Sequence, residues 1–116
     1  MDAIYGPNGG VVAWLETDTI RSLGGAVIGW LRGDAVYALG GAHAGYFNDG
    51  LFRDNGGQVV AFVSGATGGP VKPVRQVRPV QPVRAVRPVR PVVSVRNVRA
   101  VKSPSWSDLS IESYLA

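Results

Sequence analysis

A sixteen-residue motif runs four times in succession through residues 3–66, without a gap, and no other feature limits the fold so tightly. The blocks are AIYGPNGGVVAWLETD (3–18), TIRSLGGAVIGWLRGD (19–34), AVYALGGAHAGYFNDG (35–50) and LFRDNGGQVVAFVSGA (51–66). Column seven is always glycine (Gly9, Gly25, Gly41, Gly57), column eleven always Ala or Gly (Ala13, Gly29, Gly45, Ala61), and column twelve always aromatic (Trp14, Trp30, Tyr46, Phe62). Column two is apolar and β-prone (Ile4, Ile20, Val36, Phe52). Each block reads as strand, turn, strand, turn. Runs such as VVAWL and VVAFV are short, β-branched and aromatic. The Asn-Gly and Gly-Gly pairs at columns six and seven predict tight two-residue hairpins. Thr17-Asp18, Gly33-Asp34, Asp49-Gly50 and Gly65-Ala66 mark turns between blocks. Glycine recurs too often for helix, at about 1 kcal/mol per interior position.

The strands are apolar on both faces, so the module must close on itself or stack on something. Eight short strands in an open sheet would leave reactive edges. The prediction is an all-β fold in which four 16-residue β-hairpin repeats close into a shallow, pseudo-four-fold-symmetric barrel. Small column eleven lets backbones approach or leaves a central channel, and aromatic column twelve anchors each hairpin. A β-solenoid with one rung per block is the competitor, but solenoids need capping ends, and the outer blocks are no more polar than the inner two. Propeller blades need about 40 residues.

With the motifs VVAWL, VIGWL, HAGYF and VVAFV, residues 3–66 resemble the bacterial four-fold beta-flower family. The C-terminal SWSDLSIESYL (105–115) fits the same likeness, and the segment between lies outside it. The resemblance implies a shallow symmetric β-barrel with an apolar interior, distantly like Tubby-like barrels, and brings no catalytic residues with it.

Residues 67–103 form a second region, an extended or disordered basic tract. Valine recurs every third residue from Val71 to Val101. The basic residues are Lys72, Arg75, Arg78, Arg84, Arg87, Arg90, Arg96, Arg99 and Lys102, with Gln81 and Val93 breaking the pattern. The third place is proline (Pro73, Pro79, Pro82, Pro88, Pro91) or a small or polar residue. A period of three fits polyproline II, and the prolines exclude helix and central strand. Charge divides along the chain: net −3 over residues 1–66, +9 over 67–103 and −2 over 104–116. The tract is expected to act as a semi-rigid spacer reaching on the order of 100 Å, or to bind a polyanion, nucleic acid ahead of an anionic membrane. Without aromatic residues it offers no base stacking, so binding would ignore sequence. PVKPVR (70–75) and PVQPVR (79–84) also match a PxxPxR docking pattern, which any such repeat generates.

Residues 104–116 predict a short amphipathic helix, with a capping pattern at Ser105-x-x-Asp108 and docking side chains Trp106, Leu109, Ile111, Tyr114 and Leu115. It either plugs its own barrel or is a motif for a protein partner.

Little points to chemistry. His43 is the single histidine and stands in a column otherwise valine (Val11, Val27, Val59), so it reads as a tolerated inward or interfacial side chain. Asp18, Asp34 and Asp49 read as turn residues, with a rim cation site as the lesser reading. Tyr5 and Tyr37 alternate with Arg21 and Arg53 in column three and read as cross-strand packing. Absence of cysteine rules out disulfides and thiolate metal sites. No cofactor and no metal are expected. Met1–Pro7 lacks a basic stretch followed by an apolar run, so a soluble, cytoplasmic protein is expected. The functional expectation is a non-catalytic binding or scaffold module whose barrel holds an apolar ligand or its own C-terminal helix and whose basic tract takes a polyanion. The alternative is a protein-interaction adaptor in which the tract is a spacer presenting that helix.

Overall fold

The computed structural model describes every residue of the chain except Ser94, Asn97 and Arg99. Among the described residues it contains β1 (Asp2–Tyr5), β2 (Val11–Glu16), β3 (Thr19–Arg21), β4 (Val27–Arg32), β5 (Ala35–Ala38), β6 (His43–Asn48), β7 (Leu51–Asp54), β8 (Val59–Val63) and α1 (Ile111–Tyr114). The strands pair antiparallel in chain order and β8 returns to β1, closing a barrel of four hairpins. Closure leaves no free sheet edge.

The loop within each repeat holds three residues, not the two expected from the Asn-Gly and Gly-Gly pairs. In the first repeat, Gly6 N–H donates to the Gly10 carbonyl at 2.8 Å and Gly9 N–H to the Gly6 carbonyl at 3.0 Å, and the other three repeats copy this pattern. A two-residue type I′ turn needs positive φ at both central residues. Here only column seven has it, with φ of 84°, 95°, 101° and 83° at Gly9, Gly25, Gly41 and Gly57. This is the three-residue form in which one left-handed residue closes the loop. Two-residue turns do join the repeats, for example between paired Arg32 and Ala35.

Every repeat carries a β-bulge at column ten. Ile4 pairs with Ala13 and Tyr5 with Val11, leaving Val12 extra, and Ile28, Ala44 and Val60 occupy the same place. A bulge bends and twists its strand, and four equivalent ones curl the sheet into a small ring.

Columns two, ten, eleven and thirteen face the interior with Ile111, Tyr114 and Leu115 from the C-terminus. The aromatic column faces the other way. Trp14 and Phe62 join Tyr5, Leu51 and Val59 in one outer cluster, and Trp30 and Tyr46 join Val27, Ala35 and Tyr37 in another. The four aromatic anchors therefore sit on the outer wall, which is buried because the tract covers it. The tract does not project. It winds round the barrel as an extended belt, and the molecule is a disc 36 × 36 × 21 Å.

Only residues 111–114 are helical, against the expected helix over 104–116. Ser105 to Ser107 is held extended: Val59 N–H donates to the Ser105 carbonyl at 3.0 Å and Ser107 N–H to the Val59 carbonyl at 2.7 Å. Main-chain pairing there defeats the capping pattern at Ser105. Ser110 caps instead, its side chain accepting the Ser113 N–H at 3.2 Å.

Candidate functional site

The barrel interior is occupied by the chain's own end. A Cβ at Gly29 would lie 3.0 Å from a Leu115 methyl, and one at Gly45 would lie 2.7 Å from the Tyr114 hydroxyl. Such a Cβ would also fall 2.9 Å from the Tyr37 carbonyl oxygen at Gly29 and 1.8 Å from the Arg53 carbonyl oxygen at Gly45, so these two glycines serve the close approach of the neighbouring strand as well as the plug. The Tyr114 hydroxyl donates to the Arg53 carbonyl at 2.8 Å. Burial, with the Asp54 charge adding to it, pushes its pKa far above the ordinary phenol range, so the hydroxyl keeps its proton. The five residues assigned to helix docking divide. Ile111, Tyr114 and Leu115 enter the core, Trp106 joins the outer wall beside Phe62, and Leu109 stays exposed. Beside the plug an apolar hollow of about 460 Å³ opens between Leu23 and Leu39.

The belt is built from nine-residue units, one per hairpin. The carbonyl oxygens of Val74, Val83, Val92 and Val101 sit where a Cβ on Gly9, Gly25, Gly41 and Gly57 would fall, 2.1–2.6 Å away. Column seven is therefore glycine for two reasons, its positive φ and this close approach. Two residues further along each unit, the N–H groups of Gln76, Ala85 and Ser103 donate to the carbonyls of Gly9, Gly25 and Gly57. Nine residues are three whole polyproline II turns, so the same face returns to the barrel at every hairpin. The lengths agree. The twenty-seven residue steps from Val74 to Val101 would span ~84 Å as polyproline II, and three quarters of a circle 36 Å across is about 85 Å.

Two buried arginines clamp the belt. Arg21 Nη1 donates to the Gly25 carbonyl at 2.6 Å and the Ala85 carbonyl at 2.9 Å. Arg53 Nη1 does the same to Gly57 at 2.6 Å and Ser103 at 2.7 Å. They are only 2% and 7% exposed, and donation to two carbonyls satisfies charge that burial would otherwise penalise. This role was not read from the sequence. The Tyr/Arg alternation in column three, set beside the nine-residue spacing of Val74, Val83, Val92 and Val101, carries the signal.

The belt's cations meet the rim's acids. Glu16 pairs with both Arg21 and Arg84, Asp18 with Arg87 and Arg90, Asp34 with Arg96, and Asp49 with Lys102. Arg87 and Arg90 also lie over the Trp30 ring. Burial pushes the Asp18 pKa up, but the Thr19 hydroxyl, Arg90 and Arg87 outweigh it and hold the pKa below its ordinary value. The turn aspartates hold the tract's own side chains; among the described residues no three His, Asp or Glu side chains gather as a metal site would need. Arg99 lies outside the described residues. Val93, one break in the basic pattern, packs on the Trp30 cluster, and Gln81 donates to the Met1 carbonyl at 3.4 Å. Pro73, Pro82 and Pro91 lie close to the hairpin glycines and are half-buried, whereas Pro79 and Pro88 are exposed, so each PxxPxR match has one proline, Pro73 or Pro82, against the barrel. The eleven valines of the three-residue period, Val93 not among them, point outward, each 90–96% exposed.

His43 lies on the outer wall between Tyr37 and Tyr46, with ring centroids at 5.4 and 4.9 Å. Burial lowers its proton affinity, the Arg96 charge adds to that, and a hydrogen bond with the Gly45 backbone opposes it. The unfolded chain thus takes up the proton more readily than the folded one. Stability contributed by the neutral ring is complete above about pH 6.5 and falls as acid is added below it. His43→Val, which matches the other three repeats, is expected to shrink the loss of Tm between pH 7.5 and pH 5 in thermal melts; an unchanged loss would assign it elsewhere.

Four hairpins closed in a ring, plugged by the chain's end and girdled by its tract, define a belted β-barrel with pseudo-four-fold symmetry. The chain belongs to the 4-fold beta flower protein family, whose model matches residues 2–115. The match includes the tract, which the residue-level resemblance leaves out. No curated protein and no solved structure matches the chain. No helix among the described residues is long and apolar enough to cross a membrane.

Proposed function

We propose that this protein is a non-catalytic cytoplasmic scaffold whose belt binds the phosphate backbone of single-stranded nucleic acid without regard to sequence. The observation that carries this reading is the display of the tract. Its main chain is hydrogen-bonded to the barrel at the hairpin glycines Gly9, Gly25 and Gly57, while basic side chains such as Arg84, Arg87, Arg96 and Lys102 remain 42–56% exposed. A flat membrane would touch one arc of such a ring, whereas a flexible strand can follow it. The belt has no aromatic residue for base stacking, which favours backbone contacts alone. The adaptor reading asks the C-terminal turn to leave a core in which Tyr114 and Leu115 are buried. An apolar ligand would have to sit beside that turn rather than in its place.

Fluorescence anisotropy with 20-nucleotide single strands of unrelated sequence tests the proposal. Neutralising about three phosphates gives a salt slope near −2, or roughly a twenty-fold loss of affinity between 50 and 200 mM salt. The strands should bind alike. No binding at 50 mM salt, or binding indifferent to salt, would refute the reading.

A further inference from the structure

The four quarters of the belt are not electrostatically equal. Three of the four inter-repeat turns carry an aspartate, Asp18, Asp34 or Asp49, and each pairs with belt cations. The fourth turn is Gly65-Ala66, where the chain leaves the barrel for the belt. It has no acid to offer the first belt unit, whose cations are Lys72, Arg75 and Arg78. None of these three has a carboxylate partner among the described residues. Lys72 Nζ donates to the Gly68 carbonyl at 2.8 Å, and Arg75 contacts the Ser64 hydroxyl and lies 5.9 Å from the Tyr5 ring centre. A hollow of about 150 Å³ lies between Gly65, Lys72, Pro73 and Arg75. An adjoining hollow of about 130 Å³ is lined by Ser64 and Arg78, with Asp2 on its wall and not ion-paired to Arg78.

We infer that this quarter, Lys72, Arg75 and Arg78 with the Ser64 hydroxyl, is the phosphate-binding site of the disc. The missing turn carboxylate leaves the place that an anion occupies in the other quarters open to a ligand. Three unpaired cations give up no ion pair on binding a phosphate, whereas Arg84, Arg87 or Arg90 must first release Glu16 or Asp18. The inference rests on the phosphate-binding reading and narrows it from nine tract cations to three.

Two triple variants of the full chain test it: Lys72→Gln/Arg75→Gln/Arg78→Gln and Arg84→Gln/Arg87→Gln/Arg90→Gln. Thermal melts of both check folding. Counted as charge, the two are equal and should weaken a 20-nucleotide strand equally. The site predicts at least a ten-fold loss for the first and less than three-fold for the second. A separate variant, Gly65→Asp, supplies the missing carboxylate where Asp49 stands in the third repeat. Gly65 and Asp49 both have positive φ, and a Cβ at Gly65 meets nothing within 4 Å. It too should weaken binding about ten-fold. Titration with inorganic phosphate, followed by amide shifts at Ser64, Lys72 and Arg75, asks whether one phosphate suffices; shifts confined to this quarter with phosphate or with the strand support the site. Equal losses from the two triples, with Gly65→Asp binding as the parent does, would overturn the site and leave phosphate binding standing. A parent chain that binds no strand would overturn both.

Discussion

Truncating Tyr114 to alanine is expected to cost about 3–4 kcal/mol and to lower Tm by roughly 10–20 °C. The ring fills the barrel beside Gly45, and its hydroxyl satisfies the Arg53 carbonyl. Neighbouring repeats cannot collapse into the space, because their hydrogen-bonded ring fixes its diameter. Tyr114→Phe separates the two contributions: it keeps the ring and strands one buried carbonyl, a loss of about 1 kcal/mol. Urea unfolding followed by circular dichroism measures both. If Tyr114→Ala melted within a degree or two of the parent, the plug would be an incidental contact.

Gly25→Ala is the second large effect, about 2–3 kcal/mol. The residue sits at φ 95°, and an added Cβ would fall 2.1 Å from the Val83 carbonyl oxygen. Alanine must therefore strain the loop and push the belt outward, breaking the donation from Ala85 N–H to the Gly25 carbonyl and disturbing the Arg21 clamp. Gly24→Ala is the internal control. Its nearest neighbour would be the Ser22 hydroxyl at 3.8 Å, and its stability should change by no more than about 0.5 kcal/mol. Hydrogen exchange adds a local readout: the Ala85 amide should lose protection in Gly25→Ala and keep it in Gly24→Ala. Equal stability of the two variants would mean that the belt does not press on the hairpin.

The repeat made the hairpins, their order and the ring legible, because glycine at Gly9, Gly25, Gly41 and Gly57 and the small column at Ala13, Gly29, Gly45 and Ala61 state a geometry four times over. Which wall the aromatics take was hidden. Both strand faces are apolar, and the bulges at Val12, Ile28, Ala44 and Val60 break the alternation that would assign a side. The belt was hidden by its own regularity. Valine at every third residue shows one turn of polyproline II and conceals the nine-residue unit that matches a hairpin. Its attachment is mostly main chain to main chain, through carbonyls and amides whose positions leave no mark on residue type except at the facing glycines. The clamps Arg21 and Arg53 and the lone cations Lys72, Arg75 and Arg78 acquire meaning only once the rim acids are placed against the tract. In the C-terminal segment the side-chain pattern at Ser105 and Asp108 was visible, but the competing pairing with Val59 was a tertiary fact.

Small-angle X-ray scattering of the full chain at physiological salt tests the belt most directly. A tract wound on the barrel gives a particle as compact as a globular domain of this length, with a radius of gyration near 13.2 Å. A tract standing free of the disc would carry the radius above ~20 Å and stretch the longest dimension toward 100 Å, and that profile would contradict the belted barrel.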